Sequence, residues 1–141
     1  MAKLADRISA EIDNIQRILE RFPKLDKLHK LSALELAGVA ALLHNFYNGI
    51  ENILKQIVLH KGLAIPKGQS WHRDLLDLAL FHKIISQSTG KSLMQYLAFR
   101  HFFSHGYALD IDPERIRPLV QSIHKILKSF LRNIKRFESR S

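Results

Sequence analysis

The sequence has no cysteine among its 141 residues, and it holds only four prolines, six glycines and one tryptophan. Without cysteine the chain has no disulfide framework, no thiolate nucleophile and no cysteine-bound metal. No uncharged apolar run reaches the roughly 18 residues that a membrane span requires. Acidic residues are also scarce, with 13 Asp and Glu against 22 Lys and Arg, which leaves a net charge of +9. This excess favours a polyanionic partner, either a nucleic acid, an acidic protein or an anionic membrane surface.

The remaining composition is that of a folded domain. Hydrophobic residues make up 46% of the chain, too many for an intrinsically disordered protein. The length favours one domain over 1–141. Asp6 and Glu11 interrupt the start of the chain where the apolar core of a secretory signal would lie. We therefore expect a soluble, cytoplasmic protein.

Apolar residues recur every three or four positions along most of the chain, a spacing that predicts amphipathic helices. Pro23 ends the first helix, and the segment 24–31 is a linker or a short helical turn. Capping signals precede four helices: a Ser32–Glu35 capping box, Ser70, Thr89 and the sequence Asp112-Pro113-Glu114. The predicted helices cover about 3–22, 32–62, 71–86, 91–105 and 113–137. The fold class is all-α, an up-and-down helical bundle of four long helices plus a shorter helix.

The second predicted helix is apolar around most of its circumference and is expected to be central. Gly38 and Gly49 within it permit a close approach of another helix, within the subunit or across a subunit interface. A polar band interrupts its apolar surface, formed by His44, Asn45, Asn48, Glu51 and Asn52. One interpretation is a solvent-facing stripe. The other is that Glu51 or an asparagine faces the functional residues and orients them.

The most informative stretch is Arg100-His-Phe-Phe-Ser-His105-Gly-Tyr107, at the end of the fourth predicted helix. In an unbroken helix Arg100 and His105 would lie about 140° apart, too far to act on one small group. Gly106 accepts left-handed backbone angles, so a break there can swing His105 and Tyr107 back toward Arg100.

The string FRHFFSHGYALD, with the pattern R-x4-H-x-Y at Arg100, His105 and Tyr107, resembles the motif region of HepT-type toxins. These belong to the HEPN superfamily of helical ribonucleases. The resemblance implies a single HEPN-like domain, a homodimer and a small MNT-type nucleotidyltransferase antitoxin as partner. It also implies that this antitoxin modifies Tyr107 with AMP. The position after the arginine is commonly Asn or Asp in the family and is His101 here.

The implied activity is metal-independent cleavage by an endoribonuclease or an RNA-end-trimming ribonuclease, with no cofactor. RNA supplies its own nucleophile, the 2′-OH, so the protein has to transfer protons and stabilise charge at phosphorus. His105 suits proton transfer because histidine titrates near neutral pH. Arg100 suits phosphate binding because its planar fork binds two oxygens at once. His101 and Glu51 are supporting candidates, and two motifs facing each other in a dimer would supply two histidines.

Other interpretations are open at this stage. His101 and His105 have the spacing of a helical metal-ligand pair, with His72, Asp74 or Glu51 as a third ligand, although no metal motif accompanies them. Arg100 and His105 also suit a purely structural role at a helix C-terminus. The last helix has a basic face, and Lys125, Lys128 and Arg132 on it are candidates for RNA binding or for an acidic partner. A non-catalytic RNA-binding or protein-interaction domain is the competing class of function.

Overall fold

The computed structural model describes residues 2–105 and 110–140, and this part of the chain is helical, with no strand. The all-α prediction of four long helices and one shorter helix is confirmed. A short 3-10 helix, Leu25–Lys30, occupies the segment that the sequence predicted as a linker or a helical turn. The helices are α1 (Ala2–Glu20), α2 (Ala33–His60), α3 (Trp71–Phe81), α4 (Gln87–Ser104) and α5 (Pro113–Arg140).

The centre of the fold is α2, which contacts α1, α3, α4 and α5. Its apolar side chains are buried on several sides of the helix, and Phe46, Ile50 and Leu54 are fully enclosed. The wide apolar surface of α2 is therefore used inside the subunit. The described helices include none with the length and apolar character needed to cross a membrane.

Two of the predicted helix starts form as expected. At α2 the hydroxyl of Ser32 accepts the Glu35 backbone N–H at 3.1 Å, and the Glu35 carboxylate accepts the Ser32 N–H at 2.9 Å. At α5 the carboxylate of Asp112 accepts the Glu114 backbone N–H at 3.0 Å. These bonds, which are reciprocal at α2 and single at α5, satisfy backbone donors that a helix start leaves without partners.

The boundary between α3 and α4 differs from the prediction. The third helix ends at Phe81 rather than near Ser86, because the chain turns at Lys83, whose φ of 57° is left-handed. Ser86 then caps α4 by accepting the Thr89 N–H at 3.2 Å, so the motif helix begins at Gln87 and Thr89 is a buried residue inside it. The prediction of Thr89 as the cap, and of a start near Lys91, was wrong.

Ser70 precedes Trp71 as predicted, but its side chain does not cap α3. Its hydroxyl donates instead to the carboxylate of Asp74 at 3.1 Å. Trp71 is half-buried against the core, with the Lys55 ammonium 4.2 Å from its ring centroid and the His72 ring centroid at 3.6 Å. These contacts fit the packing role that the sequence favoured for this tryptophan.

The two glycines of α2 give a prediction about stability. A Cβ added at Gly49 would meet Ile15 Cγ1 of α1 at 2.5 Å, whereas one added at Gly38 meets nothing within 4 Å. We expect Gly49→Ala to lower stability by about 1–3 kcal/mol through overpacking against the buried Ile15. Gly38→Ala is the matched control, expected to raise stability by up to about 1 kcal/mol. Urea unfolding measures both, and equal effects of the two substitutions would contradict the close packing of α1 on α2.

Candidate functional site

The polar band of α2 divides between solvent and the protein interior. Asn45 and Asn52 are exposed, as a solvent stripe requires. His44, Asn48 and Glu51 instead make contacts with α3 and α4. Their spacing of four and then three residues puts them in one row along the helix. Within this row, His44 and Asn48 contact the motif helix and Glu51 contacts α3.

Arg100 of α4 is held by this row. Its Nε donates to the Asn48 side-chain oxygen at 3.1 Å. The Arg100 side chain makes no other hydrogen bond or ion pair among the described residues, so its two terminal amino groups are left without protein partners there. A guanidinium fixed at Nε presents those two groups as a fork, the geometry that suits a phosphate or carboxylate.

Glu51 lies one turn further along α2 and is buried, with 3% of its surface exposed. His72 Nδ1 of α3 donates to its carboxylate at 2.7 Å. Burial raises the pKa of the Glu51 carboxyl above its ordinary value, while the His72 hydrogen bond and the positive charge of Arg100 oppose that rise. The sequence identified Glu51 as a supporting residue, but it did not identify His72 as its partner.

His44 lies one turn before Asn48, and its ring packs on Phe103 of α4 with centroids 5.3 Å apart. Its Nδ1 is buried and has no hydrogen-bond partner among the described residues, and the same holds for the hydroxyl of the fully buried Tyr47. Burial lowers the pKa of His44, and the positive charges of Arg100 and His72 lower it further. His44 is therefore a neutral imidazole beside a cationic arginine at neutral pH.

His105 is the C-cap of α4, and its backbone angles of −91° and 15° lie in the bridge region beside the helical one. Its exposed ring lies against exposed His101, with centroids 4.4 Å apart. The sequence predicted that a break at Gly106 brings His105 back toward Arg100; in the described residues the ring contact of His105 is with His101. Gly106 and Tyr107, on which the rest of that expectation depended, lie outside the described residues.

The basic residues that the sequence selected on α5, Lys125, Lys128 and Arg132, are all exposed. The basic side chain of α5 that adjoins the motif helix is Arg115, whose guanidinium lies 4.7 Å from the ring centroid of Phe102. At 1.5 Å per residue, the three selected residues lie about 15, 20 and 26 Å further along α5 than Arg115. They therefore lie away from the end of α5 that contacts Phe102.

The metal-binding alternative has no support in the geometry. Among residues 2–105 and 110–140, no group of three or more His, Asp or Glu side chains is arranged to hold a metal ion. Glu51 and His72 are bonded to each other, and the rings of His101 and His105 adjoin each other elsewhere, at the exposed end of α4.

The fold and the site define the class: an all-helical protein whose fourth helix carries an arginine held by a polar row of the second. A family model described as HepT-like protein matches residues 38–141, and the chain belongs to this family. The match confirms the resemblance to HepT-type toxins of the HEPN superfamily on which the motif was interpreted. No curated protein and no solved structure matches the chain.

Proposed function

We propose that this protein is the toxin ribonuclease of a toxin–antitoxin pair and cleaves RNA in the cytoplasm without a metal ion. The observation that supports this most directly is the side chain of Arg100, which is fixed by Asn48 and has two terminal amino groups without a partner among the described residues. A basic chain of net charge +9 is suited to an RNA substrate. Membership in the HepT-like family agrees with this activity.

In the proposed reaction the 2′-OH of one nucleotide loses its proton and its oxygen attacks the adjacent phosphorus. The bond from phosphorus to the 5′-oxygen then breaks, and that oxygen takes up a proton. The products are a 2′,3′-cyclic phosphate and a 5′-hydroxyl. Arg100 stabilises the negative charge on the pentacoordinate phosphorus, and His105 transfers a proton.

The reaction has two proton transfers, and we propose that a homodimer supplies the two histidines. The exposed His105 of one subunit would act on the phosphate bound at Arg100 of its partner. The His105 ring is exposed and packs on exposed His101, so a second subunit can approach it. The apolar surface of α2 gives little support to a dimer, because most of it is buried within the subunit and its exposed large apolar residues, Leu34 and Leu59, lie near opposite ends of the helix.

The proposed partner is an MNT-type nucleotidyltransferase antitoxin that transfers AMP to the hydroxyl of Tyr107. The motif tyrosine is two residues from His105, so a modification there would lie next to the catalytic groups. The exposed basic residues of α5, Lys125, Lys128 and Arg132, would bind flanking RNA phosphates.

The test is incubation of the purified protein with cellular RNA, with and without a chelator. We expect cleavage products that end in a 2′,3′-cyclic phosphate, formed at the same rate with and without the chelator. Loss of activity in the chelator would contradict the metal-independent mechanism. RNA binding without cleavage would favour the alternative, a non-catalytic RNA-binding or protein-interaction domain.

A further inference from the structure

The side chain that the proposed chemistry leaves without a role is His44, although it stands beside the proposed phosphate-binding arginine. His44 and Asn48 are one turn apart on α2, and Asn48 holds Arg100. The positive charge of Arg100 acts on the His44 ring, and the ring packs on Phe103, three residues after Arg100 on α4. A phosphate bound by the free fork of Arg100 would therefore lie within reach of His44.

The protonation of His44 follows from its surroundings. A neutral imidazole carries its proton on one of its two nitrogens. Nδ1 of His44 is buried and has no partner among the described residues, and a buried N–H without an acceptor is rarer in proteins than a buried acceptor without a donor. The proton therefore belongs on Nε2, which is left as the nitrogen that can meet a substrate.

On the basis of the proposed function, we infer that His44 is a phosphate-binding residue that donates a hydrogen bond from Nε2 to a non-bridging oxygen of the scissile phosphate. It shares phosphate binding with Arg100 and does not transfer a proton in the reaction. Phe103 fixes the plane of its ring, and Asn48 fixes the arginine beside it. A neutral donor suits this position, because a second positive charge would be repelled by Arg100.

The groups that face His44 agree with a donor that stays neutral. Arg100 on α4 and His72 on α3 both disfavour its protonated form. Glu51, the nearby acid of the row on α2, is bonded to His72. Tyr47, on the same helix, has a raised pKa because it is buried, so its hydroxyl stays neutral as well.

The experiment compares three substitutions at this position in cleavage of an RNA oligonucleotide. The side-chain amide of glutamine places an N–H near the position of Nε2, whereas phenylalanine keeps the ring on Phe103 and has no donor. We expect His44→Phe and His44→Ala to lower kcat/KM by about 100-fold or more, the usual effect of losing one such donor. His44→Gln should stay within about tenfold of the unmodified protein and keep the shape of its pH profile.

The controls separate binding from folding. His44→Phe should melt at the same temperature or higher, because it removes a buried nitrogen without a partner. His60→Phe, at an exposed position near the end of the same helix, should cleave like the unmodified protein. Anisotropy with 2′-O-methyl RNA, which has no attacking hydroxyl, should show weaker binding for His44→Phe than for His44→Gln.

The outcomes are distinct. Full activity of His44→Phe would overturn the inference and leave a packing role for the ring. A glutamine variant as impaired as the phenylalanine variant, with the acidic limb of its pH profile gone, would overturn it in favour of a proton carrier. An unmodified protein that cuts no RNA would instead overturn the proposed function itself.

Discussion

Replacing Arg100 with alanine is expected to reduce RNA cleavage by about a thousandfold or more, with little change in stability. Arginines that stabilise charge at phosphorus typically contribute factors of this size. Arg100→Lys should lose nearly as much activity. Arginine can donate from Nε to Asn48 while its two terminal amino groups bind a phosphate, and the single ammonium group of lysine cannot do both. The measurement is the initial rate on a labelled RNA oligonucleotide, beside a melting curve for each variant.

Arg73→Ala is the matched control for this prediction. Arg73 is exposed on α3, and its Nε lies 3.7 Å from a carboxylate oxygen of Asp77 on the same helix. It should cleave at the normal rate. If Arg100→Lys were fully active, positive charge alone would suffice and the fork would have no special role.

His105→Ala should be as inactive as Arg100→Ala, and mixing the two inactive proteins tests the dimer. If the two motifs share one cleft, a mixed dimer keeps one Arg100 and one His105 in that cleft, and the two come from different subunits. Half of the dimers in an equimolar mixture are mixed, so part of the normal rate, at most about half of it, should return. Recovery should be absent if each subunit works alone, and sedimentation of an active monomer would exclude the shared site.

Attachment of AMP to Tyr107 is the second change that we expect to have a large effect on RNA cleavage. Tyr107 is two residues from His105, so its Cα lies within about 7 Å of the Cα of His105 in any conformation of the chain. An attached AMP would bring a phosphodiester charge and a bulky base to the end of α4. Arg100 would then bind that phosphate in place of the substrate phosphate, as charge-assisted pairing favours. Modification should abolish cleavage without unfolding the protein.

The measurement is the intact mass after co-expression with the nucleotidyltransferase and ATP. The unmodified sequence should gain mass in whole AMP units, and Tyr107→Phe should gain none. Tyr107→Phe should also keep much of its ribonuclease activity and stay toxic in the presence of the antitoxin. Equal mass gain in both proteins, or rescue of cells that carry Tyr107→Phe by the enzymatic activity of the antitoxin, would rule out this tyrosine as the target.

The parts of the fold that the sequence predicted are those that depend on local interactions. The capping box of Ser32 and Glu35 joins residues three apart, so its signature is visible in the sequence. The end of α3 was missed because left-handed turns are usually made by glycine or asparagine, and here the residue is Lys83. Ser86 and Thr89 both had the chemistry of a cap, and only the position of that turn selects Ser86.

In the candidate site, too, the sequence shows the local pattern but not the contacts between helices. The spacing of His44, Asn48 and Glu51 is visible in the sequence and marks one face of a helix. Which helix covers that face is a tertiary matter, since Asn48 meets Arg100 52 positions further along the chain. The partner of Glu51 was missed because His72 follows a loop and belongs to no recognisable motif.

The central position of α2 also limits how the length of the chain can vary. Gly49 packs closely against Ile15 of α1, while Asn48, its neighbour in sequence, is hydrogen-bonded to Arg100 of α4. Inserting or deleting one residue within 44–51 would rotate the later part of the helix by about 100° relative to the earlier part. No such rotation keeps both contacts, so homologous chains should vary in length in the loop 61–70 and not within this segment.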